Sequence, residues 1–321
     1  MTRRSSVPPP VTAVLDASSR WLPARLGQVE EQLREQSQGN GELLGADAAA
    51  TLAAGGKRLR PLLVLLCAGA DGGEEAVRAA TAIELIHMAT LVHDDVLDAA
   101  PLRRGRPTVA ASSGRARATA VGDLLFSRAF ALLGGHGDAR AVALLAEASV
   151  ALARGELFQR HDAFAMAISE QRYLERCRLK TAKLFECACL MGGDAEVLGA
   201  FGAEIGLAFQ LLDDVLDVSG PAERTGKARG TDLLDGTVTL PLIVAAASEP
   251  SIREVDLRAL DPAGAERLCD RIAATGALEE VRSRAMAMVG VAKAALDAAA
   301  FDPEQRQLLD IVADGVVQRY S

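Results

Sequence analysis

At 321 residues, 50% hydrophobic but only 3% aromatic, the chain has material for a large core without the aromatic and β-branched clusters of strands. A net charge of −8 leaves no basic stripe for nucleic acid, which excludes it as a partner; anionic small molecules need only local cations and stay admissible. The five cysteines form no CxxC pair, the usage expected of idle thiols in a reducing cytoplasm, where the sequence places the protein.

The first residues, MTRRSSVPPPV, have a basic start but no apolar h-region, and read as a disordered tail over 1–12. From there Ala- and Leu-rich segments follow one another as helices, predicted at 20–37, 42–54, 62–70, 74–99, 114–134, 138–162, 170–191, 195–219, 239–248, 263–273, 277–300 and 303–319. Breakers such as Asp71-Gly72-Gly73, Pro101, Gly192-Gly193, Gly220-Pro221 and Pro262 separate them. No linker divides the chain, and its apolar stretches reach about half of the ~20 residues that span a bilayer. The expectation is a soluble, all-α, large single-domain helical bundle over 13–321, with no transmembrane segment.

Taken in order, the polar strings in this apolar background begin with Gly55-Gly56-Lys57-Arg58-Leu59-Arg60-Pro61, three cations at a glycine-initiated helix start. Alone it could be an ordinary basic helix start. The helix at 74–99 then ends on Asp94-Asp95-Val96-Leu97-Asp98, and Asp213-Asp214-Val215-Leu216-Asp217 repeats that string about 120 residues later. At about 100° per residue, Asp94 and Asp98 share a helix face and His87 falls within about 20° of the same line. On the second helix Gln210, Asp214 and Asp217 lie within about 60°, with Asp213 beside them. Three carboxylates on one stripe repel one another, and both strings sit near helix C-termini, the negative end of the macrodipole. One such string could be a solvated acidic face. Two identical copies in apolar helices point to an offsetting cation, and oxygen-only ligands favour a hard one, Mg2+. Leu102-Arg103-Arg104-Gly105-Arg106-Pro107-Thr108 follows the first cluster directly, Lys180-Thr181 lies within a helix, and Thr225-Gly226-Lys227 follows the second cluster. Guanidinium forks so placed suit phosphate oxygens.

With these strings in hand, the chain resembles the trans-isoprenyl diphosphate synthases, or polyprenyl synthetases, from about residue 45 to the C-terminus. GGKRLRP, IELIHMATLVHDDVLD, LRRGRPT, Gly122-Asp123, Gly155-Glu156-Leu157, KTAKLF, FQLLDDVLD, TGK and TLP occur in the family's order and spacing. The resemblance implies the isoprenoid synthase fold, a helical bundle with a central cavity, and a Mg2+-dependent prenyltransferase that forms a homodimer. It implies an isopentenyl diphosphate site at Lys57, Arg60 and His87, assisted by Arg104. Asp94, Asp98 and Asp213 resemble the Mg2+ ligands, with Asp95, Asp214 and Asp217 completing the clusters. Arg103, Lys180, Thr181, Gln210 and Lys227 resemble contacts to the allylic diphosphate. His93, His136 and His161 receive no role.

One departure stands out: the family often has lysine after glycine in the segment before TLP, and Asp232-Leu233-Leu234-Asp235-Gly236-Thr237 has threonine. In the family, the residues four and five before the first aspartate help form the floor of the product tunnel, and short-chain enzymes carry an aromatic there. This chain has Thr90 and Ala89, with Ile86 further back, so the resemblance implies a product longer than geranylgeranyl diphosphate. Phe126 and Phe130 are candidates for a deeper floor or plain core. Competing expectations are a farnesyl or geranylgeranyl diphosphate synthase, a non-catalytic subunit of a heteromeric synthase, and a terpene cyclase. The scarcity of aromatics and the second DDVLD weigh against the cyclase.

Overall fold

The computed structural model describes residues 9–18, 21–38, 41–193, 195–220 and 229–318. In chain order the first elements are α1 (Pro9–Ala17), α2 (Trp21–Ser37), α3 (Gly41–Ala53), α4 (Leu59–Ala68) and α5 (Gly73–Leu97). A short hairpin of β1 (Leu102–Arg103) and β2 (Arg106–Pro107) follows. Next come α6 (Val109–Ser113), α7 (Arg115–Gly134), α8 (Ala139–His161), α9 (Glu170–Cys177), α10 (Lys183–Gly192) and α11 (Glu196–Ser219). A π-helical turn at Arg178–Ala182 joins α9 to α10. The remaining helices are α12 (Thr231–Leu234), α13 (Leu240–Ser248), α14 (Pro262–Ala274), α15 (Ala277–Ala295) and α16 (Pro303–Gln318).

The all-α expectation holds, and every predicted helix is present. The segment expected as a tail divides: residues 1–8 lie outside the described ones, and 9–12 open α1. α4 begins earlier than predicted because Arg58, with φ of 50°, turns the chain into the helix, placing Pro61 in its first turn. The helix predicted over 170–191 is broken by the π-turn. α1, the hairpin, α6 and α12 were not predicted; the last three, of two to five residues, are too short to carry a period.

The chain forms two compact units with interleaved segments, so neither is a consecutive domain. One gathers Met1–Ser149, Cys187–Gly199 and Ala299–Gly315; the other gathers Val150–Glu186, Ala200–Ala298 and Val316–Ser321. In the first, α5 is the central helix and packs against α2, α3, α4, α6 and α7. It is apolar around most of its circumference because it is buried on nearly all sides, from Ala76 to Val92. α4 is buried continuously from Pro61 to Cys67. Its C-terminal carbonyls at Leu66 and Cys67 accept hydrogen bonds at 2.9 and 2.8 Å from Gln305 Nε2 of α16. In the second unit α13, α14 and α15 pack on one another around Leu242, Leu268, Ile272 and Val281. Asp261 caps α14 by accepting from the Gly264 N–H at 2.6 Å. All five cysteines are free and buried. Among the described residues, no helix is long and apolar enough to cross a membrane.

Candidate active site

In the first unit three of the four predicted isopentenyl diphosphate residues, Arg60, His87 and Arg104, come together. An added Cβ on Gly56 would meet Arg58 Nη1 at 2.7 Å, Arg104 Nη1 at 3.4 Å and Glu84 Oε1 at 3.4 Å, so this glycine lets the 55–61 loop, α5 and the hairpin close on one point. Arg104 and Gly105 form the two-residue hairpin turn, with φ of 53° and 73°. Positive φ at both positions is the turn whose twist matches a hairpin, and it costs a non-glycine residue about 1 kcal/mol. Arg58, Ala99, Arg104 and Phe164 are the described non-glycine residues with positive φ, and the first three border the predicted site in this unit.

His87 lies half-buried among Arg60, Arg104, Arg103 and Arg58. Burial first, and those four cations next, hold its imidazole well below the usual histidine range, so it is neutral near pH 7. Burial lowers the Arg60 guanidinium to about 10, against the pull of Glu84. Arg58 is clamped between Glu30 at 2.5 Å and the buried Glu84 at 2.7 Å. The sequence analysis assigned no role to Glu84 or Glu30. Their signal was the very surplus of positive charge in the GGKRLRP string, which has to be partly balanced if it is to be buried.

The two DDVLD strings share a division of labour. In the first, Asp95 is buried and accepts from Arg103 Nε at 2.8 Å, whereas Asp98 is exposed at the C-cap of α5 and Asp94 is half-exposed. In the second, Asp214 is buried, and its two oxygens accept from Tyr173 Oη at 2.5 Å and Gln210 Nε2 at 2.7 Å, while Asp213 is exposed. Asp217 Oδ2 accepts the Asp232 N–H at 3.2 Å, at the start of α12. Burial, with Asp232 nearby, pushes the Asp214 carboxyl up to about 8, although the Tyr173 and Gln210 hydrogen bonds pull it down and Asp213 adds to the rise. In each copy the second aspartate is therefore buried against protein donors, and the first is the more exposed of the two. Among the described residues no three acidic, His or Cys side chains close into a metal cage. The exposed carboxylate oxygens fit Mg2+, which takes few protein ligands and completes its shell with water and phosphate oxygens.

The predicted allylic-diphosphate residues of the second unit are built onto the π-turn, a geometry often found at functional positions. Lys180 Nζ pairs with Glu156 and donates to Gln159 Oε1 at 3.1 Å. The Lys180 ammonium, aided by Arg160, keeps the Glu156 carboxyl below its ordinary range in spite of its burial, which is the largest influence and acts the other way. Thr181 Oγ1 donates to Gln210 Oε1 at 2.6 Å. Gly155 explains the Gly-Glu-Leu string: a Cβ there would lie 2.6 Å from the Lys180 nitrogen. Arg103, expected to contact the allylic diphosphate, is bonded to Asp95. Lys227 lies outside the described residues. Thr237 donates its backbone N–H to Asp232 O at 2.8 Å, and Phe164 packs on the neighbouring Gly236.

Along α5, Ile86 and Ala89 are fully buried. The Thr90 hydroxyl turns back to donate to His87 O at 2.8 Å. Phe126 stacks on His93 with ring centroids 5.8 Å apart, and His93 Nε2 lies 3.3 Å from Asp123 Oδ1. An added Cβ on Gly122 would come within 2.2 Å of that ring, so the Gly122-Asp123 string serves to seat His93.

The family model described as polyprenyl synthetase matches residues 42–268. The heptaprenyl diphosphate synthase component 2 of Geobacillus stearothermophilus is 42% identical over 245 residues, 73% of this chain and 77% of the relative. The octaprenyl diphosphate synthase of Escherichia coli is 34% identical over 91% of this chain and 94% of its own. A crystal structure of a polyprenyl synthase from Caulobacter crescentus, complexed with calcium and isoprenyl diphosphate, superposes with a TM-score of 0.89 at 36% identity, covering 96% of this chain and 98% of that one. With its helices, its aspartate strings and its arginine-rich loop all accounted for, the chain belongs to the polyprenyl synthetase family of prenyltransferases.

Proposed function

We propose that the chain joins isopentenyl diphosphate to farnesyl or geranylgeranyl diphosphate, with Mg2+, and releases an all-trans polyprenyl diphosphate longer than geranylgeranyl diphosphate. The observation that carries this reading is the surplus of positive charge around neutral His87. Arg58, Arg60, Arg103 and Arg104 stand against Glu30, Glu84 and Asp95. A diphosphate suits such a cluster of guanidinium groups, whose forks match its oxygens. In this reading Lys57, Arg60, Arg104 and His87 hold isopentenyl diphosphate; neutral His87 can donate a hydrogen bond without adding charge.

Lys180, Thr181, Gln210 and Lys227 hold the allylic diphosphate, and Arg103 orients Asp95. The allylic C–O bond breaks with its electron pair on the departing diphosphate. The double bond of isopentenyl diphosphate forms the new C–C bond, and the surplus proton leaves to the released diphosphate, so no protein base is required. Mg2+, with Asp94, Asp98 and Asp213 as its protein ligands, supplies neutralisation of the charge that builds on the leaving group. The small side chains Ala89 and Thr90 favour a long product, each buried CH2 of which contributes about 0.8 kcal/mol. A homodimer in the cytoplasm is part of the same reading.

The test is turnover of isopentenyl diphosphate with geranyl, farnesyl and geranylgeranyl primers, with and without Mg2+, sizing the products by chromatography. Mg2+-dependent products beyond geranylgeranyl, lost in Asp94→Ala and Asp213→Ala, are expected. Products that stop at farnesyl or geranylgeranyl would keep the chemistry and refute the length. No product with any primer would make this chain a non-catalytic subunit, a possibility raised by the relative named as one component of a synthase.

A further inference from the structure

Tyr173 on α9 is fully buried, so it touches no substrate, and no role above uses it for itself. Its hydroxyl nevertheless begins a chain of side-chain hydrogen bonds that converges on Asp214 from both sides. Tyr173 Oη donates to Asp214 Oδ2, and Gln210 Nε2 donates to Asp214 Oδ1. Because the Gln210 NH2 group is committed to the carboxylate, its carbonyl oxygen faces the other way, where it accepts the Thr181 hydroxyl at 2.6 Å. Thr181 adjoins Lys180 in the π-turn. That turn replaces the i to i−4 ladder of an α-helix with the wider i to i−5 bond, Lys183 N–H to Arg178 O, and the Thr181–Gln210 side-chain bond adds to what fixes it. The next turn of α9 holds Tyr173 in place: Arg176 lies 5.3 Å from its ring and donates to Val238 O at 2.7 Å.

We propose that Tyr173 is a positioning residue whose hydroxyl, acting through Asp214 and Gln210, sets the π-turn that presents Lys180 and Thr181. The consequence for catalysis rests on the reading of Lys180 and Thr181 as allylic-diphosphate contacts; the setting of the turn does not. A phenylalanine would keep the ring packing and remove only the donor. A residue that merely fills the core would then show no local effect.

The experiment compares the full-length protein with Tyr173→Phe and with Leu268→Ala, a core truncation in α14 remote in sequence from this chain of bonds. Two quantities are read: amide hydrogen exchange of peptides spanning 178–183, and KM for each of the two diphosphates. Tyr173→Phe is expected to speed exchange over 178–183 about tenfold relative to α13–α15, and to raise the allylic KM about tenfold with the isopentenyl KM unchanged, the equivalent of about one hydrogen bond. Leu268→Ala should do neither. Unchanged exchange in Tyr173→Phe, or the same local change in Leu268→Ala, overturns the proposal. Should the wild type turn over no diphosphate, the functional reading fails and exchange over 178–183 still decides the role of Tyr173. If Tyr173→Phe does not fold, Thr181→Val cuts the same chain at its far end and should loosen the same peptide; an unchanged peptide there refutes the proposal equally.

Discussion

Replacing Gly155 by Ala would put a Cβ 2.6 Å from the Lys180 nitrogen and 2.9 Å from its Cα and Cβ. These neighbours include backbone, which cannot swing aside as a flexible side-chain end can. Restoring an ordinary contact of about 3.4 Å requires α8 and the π-turn to part by 3.4 minus 2.6, about 0.8 Å. Overpacking of this kind costs about 1–3 kcal/mol, and the better helix propensity of Ala returns up to about 1 kcal/mol. A net loss of about 1–2 kcal/mol lowers Tm by several degrees. Activity should suffer more, because a misplacement of about 1 Å in a group that positions substrate can cost ~10²-fold. Prenyl-transfer kcat measured beside a thermal melt, with Gly290→Ala as reference, tests this. Gly290 sits exposed on α15 with nothing within 4 Å of an added Cβ. Its replacement should stabilise by up to about 1 kcal/mol and leave kcat alone. Wild-type kcat in Gly155→Ala, or a loss no larger than its unfolded fraction accounts for, would refute the reasoning.

Two further outcomes follow from the first unit. The folded-state pKa of His87 lies well below 6.5, so between that pKa and 6.5 the unfolded chain binds a proton that the folded chain refuses. Stability from this group is thus full above about pH 6.5 and falls by up to about 1.4 kcal/mol per pH unit below it; urea unfolding at pH 7 and pH 5.5 should show a shallower decline in His87→Asn. Glu84→Ala removes the buried partner of Arg58 and should destabilise the fold by about 3 kcal/mol, since breaking one side of a buried pair strands a charge. A denaturation midpoint equal to wild type would mean that Glu30 alone suffices.

The helices and the chemistry-bearing strings were legible in the sequence because both rest on local pattern. Apolar runs between glycine and proline breakers mark α5 and α11, and DDVLD shows itself by repetition. The unequal roles within each string were not legible. Helical geometry puts Asp94 and Asp98 on one face, but only the fold brings Arg103 to Asp95, or Tyr173 to Asp214 across 41 positions. Periodicity also carried the helix straight from 170 to 191, since one extra residue in a turn leaves the composition unchanged, and so the π-turn under Lys180 was missed. Glu156 was noticed as part of a string, but that it faces Lys180 depends on the close approach that Gly155 permits.

Gln305, which seals the carbonyl end of α4, lies 239 and 238 positions beyond the residues it caps. On a ribosome working at roughly 5–20 residues per second, α4 waits roughly 12–48 s for that cap to be made. The unit containing the arginine-rich loop is therefore the first to begin and among the last to close. During that interval only the carbonyl end of α4 lacks its partner, since the helices that pack on α5 have already been made.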